Sequence, residues 1–252
     1  MNKKTIKMDL HSHTTYSYDG QSTMEEYIKQ AIKNKVDVLC FTDHAELMSW
    51  FKNFYILRYD KYFDEFRRLK EKYEGKIKLL IGMEFGTPNI LKEEFDYASK
   101  YDFDMIIGSQ HRVIDGNPAF DDGSVSKIQY ESTLLMLEYG GFDVLGHLDV
   151  HKRYGFKVVD STDLEKEVYK LCLKKGIVPE INTSTLRMGM SETMPNMKSL
   201  ELYRSLGGKF VTVGTDSHSA DSVGACFEQV EKTLPNGIEL CYFEKRKLKT
   251  EL

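Results

Sequence analysis

Seven short apolar runs recur along this chain, and each is followed within a few residues by a histidine, carboxylate or amide side chain. The runs cover residues 6–10, 36–41, 77–83, 103–107, 142–145, 177–181 and 210–213. Between most of them lie amphipathic stretches, at 23–33, 61–73, 127–138, 162–175, 198–206 and 223–233. Continuous apolar runs are what strands read as when both sheet faces are buried. Their alternation with helix-period stretches predicts parallel βα units. Helix boundaries are marked as well. Thr23 with Glu26, and Thr162 with Glu165, have capping-box spacing, and Gly176 and Gly207-Gly208 stand where helices should stop. A closed barrel and a doubly wound sheet would both hold such units. No GxGxxG or P-loop follows the first run, so a nucleotide-binding open sheet has no supporting motif.

Composition narrows the field. With 252 residues, 41% of them hydrophobic, the chain can bury a real core, and disorder is excluded as the main state. The net charge of −4 argues against broad electrostatic binding to nucleic acid. No stretch approaches the roughly 20 apolar residues of a membrane helix, and residues 1–13 lack the apolar segment of a signal peptide. Cys40, Cys172, Cys226 and Cys241 form no CxxC pair. They read as reduced thiols, and the expected location is cytoplasmic.

Position carries the functional argument. Asp9-Leu10-His11-Ser12-His13 ends the first run, Thr42-Asp43-His44 the second, and Glu84 the third. His111 and His147 follow the fourth and fifth, Glu180 and Asn182 end the sixth, and Asp216-Ser217-His218 follows the seventh. Six of the seven histidines therefore sit just past the C-terminal ends of predicted strands, the face that carries the active site in a barrel. Side chains at i and i+2 on a strand share a side, so His11 and His13, and likewise Asp216 and His218, can grip one ion. Imidazole and carboxylate together bind zinc, iron or manganese. Singly, each residue reads equally well as turn chemistry or a core histidine. Jointly they point to a hydrolytic metal centre, since no cysteine accompanies them.

At this level the chain resembles the PHP (polymerase and histidinol phosphatase) family. The likeness rests on Asp9-x-His11-x-His13, Thr42-Asp43-His44, His111 and Asp216-x-His218, with Glu84 and His147 at two further ligand positions. It is most similar to the histidinol-phosphate phosphatase branch through Ser17-x-Asp19-Gly20, Gly146-His147-Leu148-Asp149 and Glu180-Ile181-Asn182-Thr183-Ser184-x-Leu186-Arg187. The resemblance implies a single catalytic domain over residues 1–252, a distorted (β/α)7 barrel with its metals at the strand C-termini. It implies three divalent ions, zinc, iron or manganese. The first would take His11, His13, Glu84 and Asp216; the second Glu84, His111 and His147; the third Asp19, His44 and His218. Some relatives carry a histidine where this chain has Asp19.

The implied activity is hydrolysis of L-histidinol phosphate, in histidine biosynthesis, by a hydroxide bridging two metals. A centre with more cationic than carboxylate charge suits a phosphate dianion and acidifies bound water. Asp216 and His218 are also candidates for proton transfer to the leaving group, and Arg187 for a phosphate contact, because guanidinium binds phosphate bidentately. Asp9 and Asp43 are expected behind the ligands, orienting imidazoles, and Asp149 near His147. His151 and Arg153 are read as surface-loop residues, with a substrate contact as the alternative. Glu46, Trp50 and Phe85 are candidate walls for the amine and imidazole of the substrate. The aromatic segment 50–66 is read as a helix packed on the barrel, with a lid as the alternative, and residues 244–252 as a frayed tail. Competing readings are a nuclease-type phosphoesterase, a phosphatase for another small ester, and a non-catalytic metal-binding scaffold.

Overall fold

The computed structural model describes residues 5–46, 57–111, 122–159 and 162–252. Strands β1 (Met8–Asp9), β2 (Val38–Phe41), β3 (Lys78–Gly86), β4 (Met105–Ser109), β5 (Val144–Leu145), β6 (Val178–Asn182), β7 (Phe210–Gly214) and β8 (Glu239–Leu240) form one sheet. They lie in chain order, and every neighbouring pair is parallel. The sheet curls until its first and seventh strands meet. Leu10 N–H donates to Val213 O at 3.0 Å, and His13 N–H to Ser217 O at 2.8 Å. That contact gives the expected distorted barrel. The eighth strand was not foreseen; it pairs only with Phe210 and Val211, below the point where β1 joins β7.

Helices cross over outside the ring: α1 (Met24–Lys33), α2 (Tyr59–Lys72), α3 (Lys92–Ala98), α4 (Ser124–Tyr139), α5 (Asp163–Lys175), α6 (Ser184–Arg187), α7 (Met197–Ser205) and α8 (Phe227–Thr233). Their inward stripes follow from sequence period. Helix α1 buries Met24, Tyr27, Ile28 and Ala31, at i, i+3, i+4 and i+7. Its capping box forms as predicted: Glu26 N–H donates to Thr23 Oγ1 at 3.3 Å and Thr23 N–H to Glu26 Oε2 at 2.8 Å. At α5, Thr162 caps the Glu165 N–H, while the Glu165 carboxylate accepts from Ser199 on α7. Gly176 ends that helix in the left-handed conformation (φ +70°), at no steric cost. Each fully buried Leu, Ile or Phe of the shared core contributes about 1.5–3 kcal/mol.

Two expectations need correction. Residues 244–252 do not fray. Strand β9 (Tyr242–Glu244) pairs antiparallel with β10 (Lys247–Lys249). The hairpin is anchored where Lys245 N–H donates to Asp104 Oδ1 at 3.0 Å and the Arg246 guanidinium pairs with Asp143. Asp104 and Asp143 precede β4 and β5, so the chain end covers the barrel opposite the strand C-termini. The last helix begins at Phe227 rather than residue 223, because Gly224 and Cys226 hold positive φ. Within the aromatic segment 50–66, residues 59–66 lie in α2 and turn Tyr59, Tyr62 and Phe66 inward, as the helix reading expects, while residues 50–56, Trp50 among them, lie outside the described residues. Among the described residues no helix is long and apolar enough to cross a membrane.

Candidate metal centre

Parallel strands deliver their last residues to one face, and the side chains there converge on Glu84. One carboxylate oxygen, Oε1, lies 2.9 Å from His147 Nε2 and 3.2 Å from His111 Nε2. The other, Oε2, lies 3.3 Å from His11 Nε2 and 3.4 Å from His13 Nε2. His44 Nδ1 lies 3.3 Å from the same Oε2. Asp216 completes the first cluster, with Oδ1 3.3 Å from His13 Nε2 and 3.8 Å from His11 Nε2. A third cluster joins Asp19, His44 and His218 beside His13; within it Asp19 Oδ2 is 3.1 Å from His218 Nε2 and 3.9 Å from His44 Nε2.

Several of these groups are buried without being mutually satisfied. His11 Nε2, His13 Nε2 and Asp19 Oδ1 are buried with no hydrogen-bond partner. Native interiors pair such atoms, because an orphan forfeits its hydration. Unpaired imidazole nitrogens converging on carboxylate oxygens fit divalent N/O-binding ions. Electrostatics agree. Burial alone would raise the Glu84 and Asp216 carboxyls; the surrounding imidazoles, and Arg153 beside Asp216, instead hold both well below the usual range. Burial, and then the neighbouring His44, pushes the His13 imidazole down to about 3, which leaves a neutral ring with a free lone pair.

The supports are mostly not those expected. Glu180, at the end of β6, holds His11: its Oε1 lies 2.7 Å from His11 Nδ1. Its Oε2 accepts the His147 N–H at 2.9 Å and the Asn182 amide at 3.2 Å. This close approach needs Gly214, where a Cβ would stand 2.3 Å from the His11 Cβ and 2.6 Å from Glu180 Oε1. Asp9 touches no imidazole. It accepts from Thr215 N–H, Thr215 Oγ1 and Gly224 N–H at 2.9, 2.6 and 2.9 Å, tying β1 to the loop after β7. Asp43 acts at one remove: it accepts from Thr14 N–H at 2.6 Å and from Ser17 Oγ at 2.8 Å. That Ser17 hydroxyl lies 3.2 Å from His13 Nδ1. Asp149 pairs with Lys152 Nζ at 2.7 Å rather than with His147.

A cavity of about 300 Å³ opens over the cluster. Tyr18, Val150, Arg153 and Tyr154 line it together with Asp19, His44, Glu84, His111, His147, Asp216 and His218. Arg153, read from sequence as a loop residue, is its cation: Nη1 donates to Asp216 Oδ2 at 2.6 Å and to Ser184 Oγ at 3.1 Å. The signal for it was position, six residues past His147 on the same strand-end loop. Arg187 does not line the cavity. It stands behind Asp216, donating to Thr215 O at 2.8 Å and Asp216 O at 3.4 Å. His151 is buried off the cavity, as are Glu46 and Phe85.

Comparison with known proteins agrees with this geometry. A family model described as PHP domain matches residues 9–184. A probable histidinol-phosphatase of Clostridium acetobutylicum is 30% identical, over 96% of this chain and 98% of its own length. A histidinol-phosphatase of Lactococcus lactis is 29% identical, over 85% of each chain. A crystal structure of histidinol phosphate phosphatase from Lactococcus lactis, complexed with zinc, L-histidinol and phosphate, superposes with a TM-score of 0.82 at 26% identity. The match covers 98% of this chain and 100% of that one.

Proposed function

The chain belongs to the PHP domain family, and from that premise we propose that it is a metal-dependent phosphomonoesterase hydrolysing L-histidinol phosphate to L-histidinol and phosphate. The observation that carries this reading is Glu84, whose two carboxylate oxygens face two separate histidine clusters below an open cavity. Three divalent ions, zinc, iron or manganese, would be held by His11, His13, Glu84 and Asp216; by Glu84, His111 and His147; and by Asp19, His44 and His218. Such ions polarise phosphoryl oxygens and make water a competent nucleophile at neutral pH.

The chain's own residues do the rest. Arg153 binds the phosphate from the cavity wall as a planar, permanently charged donor. Arg187 stands off the cavity wall and holds the Thr215–Asp216 backbone; it meets the phosphate only where substrate binding draws its unspent donors past Asp216. The ionised Asp216 carboxylate accepts a proton from the attacking water. His218 donates its Nδ1–H to the Asp216 carbonyl at 3.1 Å, which leaves the Nε2 lone pair for the third ion, so Asp216 returns the proton to the leaving oxygen. Tyr18 and Tyr154, which line the cavity where Glu46 and Phe85 do not, supply the aromatic wall for the imidazole of the substrate. The phosphate ester is a small molecule on this reading, and nucleic acid is not the substrate. All four cysteines are free thiols, in keeping with a cytoplasmic location.

The test is phosphate release from histidinol phosphate, p-nitrophenyl phosphate, mononucleotides and single-stranded DNA, with bound metals counted before and after chelation. The proposal expects kcat/KM for histidinol phosphate far above the rest, lost with the metals. Comparable weak activity on every ester would refute the substrate while keeping the chemistry.

A further inference from the structure

Glu46 belongs to none of the three ligand sets, yet it touches two of them. Its carboxylate is buried, does not line the cavity, and among the described residues has no hydrogen-bond partner on either oxygen. A single oxygen, Oε1, lies 3.4 Å from His44 Nδ1 and 3.5 Å from His111 Nδ1. The opposite nitrogens of those rings face the candidate ion positions. His44 Nε2 is 3.9 Å from Asp19 Oδ2, and His111 Nε2 is 3.2 Å from Glu84 Oε1. His44 Nδ1 also lies 3.3 Å from Glu84 Oε2, but that oxygen already serves His11 and His13. Space for Glu46 is kept by the last residue of β3: a Cβ on Gly86 would stand 2.8 Å from Glu46 Oε1 and 3.0 Å from His111 Nδ1.

Ring bookkeeping decides what such a carboxylate can do. A neutral imidazole carries one N–H and one lone pair. If Nε2 of both rings ligates metal, both Nδ1 atoms carry hydrogen and need an acceptor; Glu46 is the carboxylate they share. Were Glu46 instead a ligand to an ion at those Nδ1 atoms, both rings would have to bridge metals as imidazolates. A carboxylate behind a ligating histidine fixes its tautomer and orientation and raises its basicity.

We propose that Glu46 is a positioning residue that accepts the Nδ1–H of both His44 and His111, and so couples the second and third ion positions. The inference rests on the metal-centre reading above. It also explains why the chain places a buried, otherwise unpaired carboxylate two residues after a ligand candidate.

The test uses zinc-loaded protein with 15N-labelled histidine. The wild type should show downfield Nδ1–H protons on His44 and His111. Glu46→Ala should shift or lose both, leaving the His11 signal, held by Glu180, in place. Against graded chelator Glu46→Ala should release two of its ions about 10- to 100-fold more readily. Glu46→Gln should recover much of that retention, because both rings converge on one oxygen. Gly86→Ala, which displaces the carboxylate without removing it, should reproduce the loss and serves if Glu46→Ala does not fold. Unchanged signals and retention in Glu46→Ala would overturn the proposal. So would a wild type lacking both Nδ1–H signals, which would make Glu46 a ligand. A wild type that holds no ions would overturn the metal-centre reading itself.

Discussion

The Arg153 guanidinium lies 2.6 Å from Asp216 Oδ2, while the other oxygen of that carboxylate lies 3.3 Å from His13 Nε2. One side chain thus links the cavity wall to the first candidate ion position. Arg153→Ala should remove a phosphate contact and leave Asp216 less well held. We expect kcat/KM to fall about 100-fold, equivalent to roughly 3 kcal/mol. Arg153→Lys should recover only part, since ammonium cannot reproduce the planar fork. Steady-state kinetics on histidinol phosphate and p-nitrophenyl phosphate check this. Equal losses identify a phosphate contact, and a loss confined to histidinol phosphate would assign Arg153 to the alcohol half instead.

Arg187 offers a contrast, because its contacts are backbone carbonyls behind Asp216. Arg187→Ala should raise KM about tenfold, with a smaller fall in kcat, if its unspent donors reach phosphate. A fall in kcat at unchanged KM would mean that it only steadies the loop.

Glu180 makes three polar contacts on the barrel floor, with His11, His147 and Asn182. Glu180→Gln retains an acceptor but loses the charge behind His11. Affinity for one of the three ions should drop about 10- to 100-fold with little change in fold. Metal titration monitored alongside circular dichroism tests this, and unchanged affinity would remove Glu180 from the centre.

At the other end of the barrel, Arg246 pairs with Asp143, and its Nη2 donates to Gly141 O at 2.7 Å. Arg246→Ala should cost about 1.5–3 kcal/mol, the range for hydrogen bonds to charged groups. Urea unfolding should show that loss with kcat unchanged, because the strand C-termini lie at the opposite end. A parallel loss of kcat would contradict this separation.

Elements were legible where the signal is local. The apolar runs, the Thr23–Glu26 box and the Gly176 stop all follow from a few neighbouring residues, and the structure places them as read. Strand β8 and the β9–β10 hairpin were not legible. They are two or three residues long, largely polar, and depend on partners distant in the chain. Glu46 and Trp50 mark a similar edge: the first looks like any acidic residue after a strand, and the second lies outside the described residues.

By itself the sequence determined which chemistry is possible. Buried strands must be apolar, so polar residues placed just past their ends stand out, and their types name the ligands. Tertiary structure decided which of them meet. Only closure of β1 against β7 brings Asp216 to His13 and Glu180 to His11, across gaps that Gly214 keeps open. Only the turn after β5 carries Arg153 into the cavity and leaves Asp149 paired with Lys152. The reason is physical. Strand and helix periods are set by backbone geometry within a few residues. Which oxygen faces which ring is set by the shape of the closed barrel, and no local pattern encodes that.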